Sequence, residues 1–272
     1  MTTYGAIDAQ VEHLIKASVA QKKLPPVLYR YRAFDKYTAS SIANAVQMFS
    51  VPFGFNDPFD CQINDSGEYT YKEFRNYLMR GDRIDRATAN AMANMNHAQG
   101  GAMARRALSK AKTKQMQSTG VLCLSSRPDS ILMWSHYANC HRGYVLGFTV
   151  LNDPAFFVAP CKVKYQAKYP NFSYIRSPLE IVPRGMSTKS QEWHYEKEVR
   201  IIKKGPGLKQ FKKACLTEII LGCRITKRNM NKMKRLLLND PEYSHVVLKQ
   251  ATVSATAFKV NIAVISNKLT SK

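Results

Sequence analysis

The order of strand-like and helix-like segments is the feature that most constrains the fold of this 272-residue chain. Apolar, β-branched and aromatic residues typical of strands cluster at 27–32, 121–125, 144–148, 216–222 and 246–254. Segments with apolar residues at helical spacing lie between them, but the two kinds do not alternate regularly. Because there is neither regular alternation nor a repeat or long linker, we predict a single α+β domain over residues 1–272 with a mixed or antiparallel sheet.

Two helical regions are predicted to lie outside this sheet. Residues 1–24 contain an amphipathic N-terminal helix that ends before the Pro25-Pro26 pair. Residues 70–118 are predicted to form a helical insertion, because Thr70 and Glu73 have the spacing of a capping box and the segments that follow are rich in alanine and asparagine.

The strong positive charge of the chain bears on its partners. Lysine and arginine number 41 against 19 acidic residues, a formal net charge of +22. Such an excess favours a polyanionic partner, and we predict nucleic acid. The alternative is that the charge only keeps the surface soluble. The residues expected to contact nucleic acid are Arg105, Arg106, Lys110, Lys203, Lys204, Lys212, Lys213, Lys227 and Arg228.

Apolar runs and the N-terminus argue against a membrane partner. The longest apolar runs contain only a few residues, too short to cross a bilayer. Asp8 and Glu12 near the N-terminus do not fit the basic-then-apolar layout of a signal peptide. We therefore predict a cytoplasmic protein.

The six cysteines form no CxxC pair and are predicted to be reduced thiols. His136, Cys140 and His141 are the one cluster resembling metal ligands. A zinc site needs four ligands and no second pair is evident, so no metal site is predicted.

The segment from Trp193 to Ile202 carries the most suggestive group of polar residues. If its second half is a strand, Glu196, Glu198 and Arg200 point to the same face. Two carboxylates beside a guanidinium fit acid/base chemistry or the stabilisation of a developing positive charge. Two alternatives remain open: a solvated strand face, or a helical turn in which Glu196 and Arg200 form an i,i+4 pair.

Five blocks of the sequence carry a resemblance to a known family. The blocks are Tyr29-Arg30-Tyr31-Arg32, residues 49–60, Met133-Trp134-Ser135-His136-Tyr137-Ala138, residues 193–200 and Ile219-Ile220-Leu221-Gly222. They resemble a bacterial and phage family known as domain of unknown function 2971. The resemblance covers about residues 28–250 in the family order, without the segment between Gly81 and Ser118. The family name carries no activity.

The order of these blocks is also similar to that of ADP-ribosyltransferases of the Arg-Ser-Glu type. Those enzymes carry an arginine on the first core strand, a serine on a middle strand and a late Glu-x-Glu. Arg30 or Arg32, Ser125 (or Ser126) and the pair Glu196 and Glu198 match these places, although the middle segment is not Ser-Thr-Ser. The resemblance implies an ADP-ribosyltransferase-like fold, NAD as cofactor, and a role in a toxin or anti-phage system acting on or near nucleic acid.

The resemblance implies a role for each of these side chains. Cleavage of the nicotinamide–ribose bond of NAD develops positive charge on the ribose, which the Glu198 carboxylate would stabilise. Glu196 would orient or deprotonate the incoming nucleophile, and Ser125 would complete the catalytic set. The forked guanidinium of Arg30 or Arg32 would bind the pyrophosphate.

Aromatic residues would complete the cofactor site. Trp134 or Tyr137 would stack on nicotinamide, with His136 beside them. Each assignment has a structural alternative: core aromatics with a bonded polar tip, a structural histidine and, for Ser125, a capping hydroxyl.

Two other functions fit the same residues. The chain could be a basic nucleic-acid-binding protein without enzymatic activity, or a nuclease built on His136, Glu196 and Glu198.

Overall fold

Residues 3–65, 69–80 and 84–266 are described by this computed structural model and form fourteen strands. The strands are β1 (Val27–Arg32), β2 (Val46–Phe49), β3 (Asn64–Asp65), β4 (Thr119–Ser125), β5 (Tyr144–Thr149), β6 (Pro160–Lys162), β7 (Lys164–Gln166), β8 (Asn171–Phe172), β9 (Thr188–Ser190), β10 (Glu198–Lys204), β11 (Gly207–Gln210), β12 (Leu216–Leu221), β13 (Val247–Val253) and β14 (Val260–Ser266).

Eight α-helices lie among these strands in the described ranges. They are α1 (Thr3–Ala20), α2 (Thr38–Ala43), α3 (Tyr71–Leu78), α4 (Arg86–Ala98), α5 (Ala102–Gln117), α6 (Ile131–Tyr137), α7 (Ile181–Met186) and α8 (Lys227–Leu238). Short 3₁₀ helices occur at Pro52–Gly54, Val150–Asn152, Pro178–Glu180, Gln191–Glu196, Lys213–Cys215 and Pro241–Tyr243. Within the same ranges, no helix is long and apolar enough to cross a membrane.

The central sheet has eight strands in the order β14-β13-β12-β5-β1-β4-β10-β6. Its neighbours are antiparallel except for β12 and β13, which pair in parallel. The α+β class and the mixed, mostly antiparallel sheet are therefore confirmed. β1, β4 and β10, which carry the predicted arginine, serine and second glutamate, are consecutive in the sheet although they are far apart in the sequence.

Both faces of the central sheet are covered, which explains the continuous burial of its middle strands. Residues 144–148 of β5 are all buried. Leu146 and Phe148 belong to the largest core cluster, whereas Val145 packs with Trp134 and Met133 of α6 on the other face. A strand buried on both faces lacks a polar side and appears in the sequence as an unbroken apolar run.

Alternation along β10 separates the core from the polar groups. Val199 and Ile201 pack into the largest core cluster. Glu198 and Arg200 lie on the opposite face, where they are nevertheless buried. The strand therefore presents charged groups to the interior.

The helical segment predicted at 70–118 contains α3, α4 and α5. Thr70 and Glu73 form the predicted capping box: the Thr70 hydroxyl accepts a hydrogen bond from the Glu73 amide, and the Glu73 carboxylate accepts one from the Thr70 amide. Asp85 caps α4 with its side chain. Phe74, Ala93 and Ala104 of these three helices pack in one cluster with Ile175.

Candidate active site

A cleft of about 550 Å³ opens on the sheet face that carries Glu198 and Arg200. We call it the central cleft. Its volume lies in the range of small-molecule sites. Seven of the eight residues predicted for catalysis and cofactor binding line it, contributed by β1, β4, α6 and the segment around β10. They are Arg30, Arg32, Ser125, His136, Tyr137, Glu196 and Glu198.

The central cleft begins where the pairing of β1 with β4 ends. The ladder between these strands contains one registered pair, Tyr29 with Ser125. Beyond it, β1 residues from Arg30 to Arg32 and the β4 residue Cys123 line the cleft and pair with β5 and β10, respectively, but not with each other. A ladder that ends early gives side chains access to space between two strands that are neighbours in the sheet.

Five buried charged residues are here called the ionic cluster: Asp60, Lys189, Glu196 and Glu198, which line the cleft, and Arg200, which lies behind them. None is more than 7% exposed. Three carboxylates face two cations, so the cluster has a formal charge of −1 when every member is ionised. Buried charges are stable only when they are paired and hydrogen-bonded, and each member of this cluster has at least one ionic partner.

Arg200 lies at the centre of the ionic cluster and is fully buried. Its Nε and Nη2 atoms donate to the two Glu198 oxygens at 2.8 and 3.0 Å. Nη2 also donates to Asp60 Oδ2 at 2.6 Å, and Nη1 donates to the Met186 carbonyl at 3.2 Å. This forked geometry suits arginine and not lysine. It ties β10 to the loop at Asp60.

Lys189 of β9 connects the two glutamates. Its Nζ lies 2.6 Å from Glu196 Oε2, 3.4 Å from Glu198 Oε2 and 3.6 Å from Asp60 Oδ2. Burial alone would lower the pKa of Lys189, but the surrounding carboxylates outweigh it and raise the pKa above the ordinary lysine value. Lys189 therefore remains a cation inside the wall of the cleft.

The two glutamates of the cluster have opposite electrostatic environments. Burial and the nearby charge of Glu198 raise the pKa of Glu196, although Lys189 and a 2.6 Å hydrogen bond from Tyr137 oppose the shift. Burial also disfavours ionisation of Glu198, but Arg200 and Lys189 outweigh it and lower the pKa of Glu198. Glu198 thus stays ionised and fully paired, whereas Glu196 is the carboxylate suited to exchange a proton.

A turn, and not strand alternation, places both glutamates in the cluster. Glu196 ends the 3₁₀ helix Gln191–Glu196, and Lys197 adopts a left-handed conformation with φ of +45° before β10 starts at Glu198. The prediction that Glu196 shares a strand face with Glu198 and Arg200 is wrong in its geometry. Both alternatives are also wrong: the carboxylates are buried, and Arg200 pairs with Glu198 and Asp60 instead of Glu196.

Ser125 is not placed to act on a bound molecule, which corrects its catalytic assignment. It is fully buried, and its hydroxyl donates to the Glu196 carbonyl at 2.6 Å while accepting from the Arg127 amide at 3.1 Å. The hydroxyl therefore holds the turn that carries Glu196 against the end of β4. This matches the capping alternative.

The two predicted arginines differ in their freedom to bind an anion. Arg30 Nη1 donates to the Cys123 carbonyl at 2.6 Å, and its other guanidinium N–H groups have no acceptor among the described residues. Arg32 lies 3.4 Å from the Asp35 carboxylate, so its charge is partly matched. Arg30 is the better candidate to bind a phosphate group entering the cleft.

The α6 residues divide between core and cleft. Trp134 is fully buried, packs edge-on against Tyr31 and donates its indole N–H to the Pro128 carbonyl at 2.8 Å. It does not line the cleft, so its assignment to nicotinamide stacking is wrong. His136 is exposed and lies 6.1 Å from the Tyr195 ring, and Tyr137 donates its hydroxyl to Glu196.

The nine basic residues predicted for nucleic-acid binding lie outside the central cleft. Exposed arginines and lysines of α5 account for three of them. Lys213 pairs with Asp240 at 2.7 Å and Glu242 at 2.6 Å, which neutralises it. Lys203 lies 4.7 Å from the centre of the Phe156 ring, and burial lowers its pKa. These two side chains are therefore poor phosphate ligands, which corrects their assignment. The placements are Arg105, Arg106 and Lys110 on α5, Lys203 and Lys204 on β10, Lys212 and Lys213 near β12, and Lys227 and Arg228 on α8.

Two members of the ionic cluster were not identified from the sequence. Asp60 closes the block at 49–60, and its acidic side chain next to a turn was the available signal. Lys189 had no local signal, because it is one lysine among many in a basic chain. In the described ranges, no group of three or more histidine, cysteine or acidic side chains is arranged to hold a metal ion.

One family model matches part of the chain. Residues 133–201 match the family described as Protein of unknown function (DUF2971). The matched segment runs from α6 to β10 and contains Lys189, Glu196, Glu198 and Arg200. It supports the resemblance stated above for the blocks at α6 and at 193–200, while the blocks at 29–32, 49–60 and 219–222 lie outside it. Neither the curated proteins nor the solved structures contain a match to this chain.

Proposed function

We propose that the protein is an NAD-dependent ADP-ribosyltransferase-like enzyme that acts on or near nucleic acid. The observation that carries the proposal is the meeting of Arg30 and Glu196 in one cleft, although the two residues belong to distant parts of the sequence. NAD would supply a ribose carbon bonded to a good leaving group. A cation able to bind phosphate and a carboxylate able to exchange a proton are what this chemistry requires of the protein.

The cleft residues fit the two ends of such a molecule. The free N–H groups of Arg30 suit a pyrophosphate. The ionic cluster, with its formal charge of −1, lies where a positive charge on the ribose would be stabilised. Glu198 contributes to that charge while it fixes Arg200, and Glu196 accepts the proton of the acceptor.

The first experiment measures NAD consumption by the purified chain. In the Glu196→Gln variant the rate should fall by about 100-fold or more, because a positioned general base contributes roughly 10²–10⁴ to the rate. The matched control is Glu180→Gln, which removes an exposed carboxylate paired with Arg184 and should leave the rate unchanged. Thermal unfolding checks that both variants are folded.

Two results would contradict the proposal. The first is the absence of NAD consumption by the wild-type chain, with and without nucleic acid. The second is equal consumption by the Glu196→Gln variant, which would remove this carboxylate from the reaction.

A further inference from the structure

A second cleft, of about 830 Å³, adjoins the central cleft and is here called the side cleft. Asn56 and Lys189 line both. Since Lys189 Nζ is 2.6 Å from Glu196, the wall shared by the two clefts reaches the carboxylate that would accept a proton. A molecule in the side cleft would therefore lie next to the proposed reaction centre without occupying the central cleft.

Asp57 supplies a buried hydrogen-bond acceptor in the lining of the side cleft. The residue is 7% exposed, and its Oδ1 accepts from the Phe59 amide at 2.9 Å. Its other oxygen, Oδ2, is buried and has no hydrogen-bond partner among the described residues. An unpaired buried acceptor is unfavourable, and a ligand that presents an N–H group to it would relieve the cost.

Aromatic rings provide flat faces in the same cleft. Phe59 is 64% exposed and Tyr169 is 45% exposed, and both line this one cleft. Trp193 also lines the cleft, with Lys189 Nζ 4.8 Å from its ring centre. Exposed aromatic side chains are the platforms on which unpaired bases stack.

Side-chain amides make up much of the remaining lining. Asn64 and Asn171 are hydrogen-bonded to each other at 3.1 Å, which leaves the Asn64 oxygen and the Asn171 amino group able to bind a ligand. A carboxamide both donates and accepts, as do the edges of a nucleobase. Lys168, an exposed cation of the same lining, suits a phosphate that follows the base.

We infer that the side cleft binds an unpaired nucleobase of a nucleic-acid strand, which is the acceptor of the reaction at Glu196. The part of this inference that concerns the reaction rests on the proposed function, whereas the part that concerns binding does not. In the transfer, a nitrogen of the base forms a bond to the ribose carbon of NAD and its proton passes to Glu196. The bond from that carbon to nicotinamide breaks, and nicotinamide leaves with the electron pair.

The test measures binding of labelled single-stranded oligonucleotides to the full chain by fluorescence anisotropy, without NAD. Phe59→Ala should weaken binding about 5- to 150-fold, the range for the loss of one stacked base. Phe258→Ala is the matched control, because this fully exposed aromatic lies on the turn between β13 and β14 and should leave binding unchanged.

Asp57→Asn tests the hydrogen bond. The asparagine oxygen can keep the bond from the Phe59 amide, while its amino group replaces the Oδ2 acceptor with a donor. We expect homopolymers of the four bases to bind wild type with different affinities. In the variant, affinity for the preferred base should fall about tenfold or more, because a donor would face a donor.

Three results would overturn the inference: no binding of single strands by the wild type, equal binding by wild type and both side-cleft variants, or displacement of the oligonucleotide by NAD. The last would mean that the adenosine end of NAD occupies the side cleft. NAD consumption measured with and without oligonucleotide tests the proposed function separately. An active enzyme that binds no strand removes the inference alone, whereas base-dependent binding without NAD consumption removes the proposed function and the acceptor role and leaves the base-binding site.

Discussion

Replacing Arg200 by methionine tests the ionic cluster most directly. Methionine keeps much of the aliphatic length of arginine but removes every N–H donor. The variant loses both bonds to Glu198 and the bond to Asp60, all within an interior in which Arg200 itself is fully buried. Lys189 would then be the single cation facing three buried carboxylates.

The expected loss follows from that imbalance. Breaking a buried ion pair by removing one partner costs about 3–5 kcal/mol, because the other charge stays buried without compensation. Domains are stable by only about 5–15 kcal/mol, so the loss is a large part of the free energy of unfolding. It corresponds to a fall in Tm of roughly 6–20 °C for a chain of this size.

Urea unfolding followed by tryptophan fluorescence at pH 7 measures this loss. Trp193 lines the side cleft beside Lys189, and Trp134 lies in the core, so both report on the region. The control is Arg184→Met, which removes the same kind of side chain from a pair with Glu180 that is about half exposed. An exposed pair contributes about 1 kcal/mol or less.

A loss below about 1 kcal/mol for Arg200→Met, equal to that of the control, would refute the reasoning. It would mean that the negative charge of the cluster's carboxylates does not need Arg200 to balance it. The difference between the two variants should also shrink at acid pH, because a protonated carboxylate no longer needs a cation.

Two further predictions concern pH and thiol chemistry. Arg200 and Lys189 outweigh burial and lower the folded-state pKa of Glu198. The contribution of ionised Glu198 to stability is therefore present above about pH 4.3 and is lost below it. Free energies of unfolding measured from pH 7 to pH 3 should fall less steeply in the Glu198→Gln variant than in wild type. Alkylation followed by mass spectrometry should detect modification of exposed Cys140 first. Cys61 is buried and its pKa is raised, so it should react only on unfolding. Early labelling of Cys61 would contradict the packing around Arg200.

Local sequence patterns predicted the parts of the fold that depend on local interactions. β1 has the bounds predicted from its alternating residues, Val27–Arg32, and the capping box of Thr70 and Glu73 starts α3 as expected. These signals work because the interactions that cause them lie within a few residues of one another. The adjacency of β1, β4 and β10 in the sheet was not predicted, because it has no local cause.

The geometry of the candidate site could be predicted only in part, because two of the features that determine it are not visible in the local sequence pattern. Alternation assumes extended backbone throughout, and the left-handed conformation of Lys197 breaks that assumption between Glu196 and Glu198. Pairing of Arg200 with Asp60 depends on the tertiary fold, so neither residue alone indicated the partner. Burial of a polar segment is equally invisible in its composition, which is why a solvated face was a reasonable alternative.

Asp60 and Arg200 are separated by 140 positions, and their contact has a consequence for biosynthesis. A nascent chain that has not yet extended to β10 lacks Glu198 and Arg200, so its ionic cluster is incomplete. Contacts between such distant positions form late, because a long loop must close first. A truncated product of interrupted translation would therefore lack the ionic cluster, which is complete only once the polypeptide has reached β10.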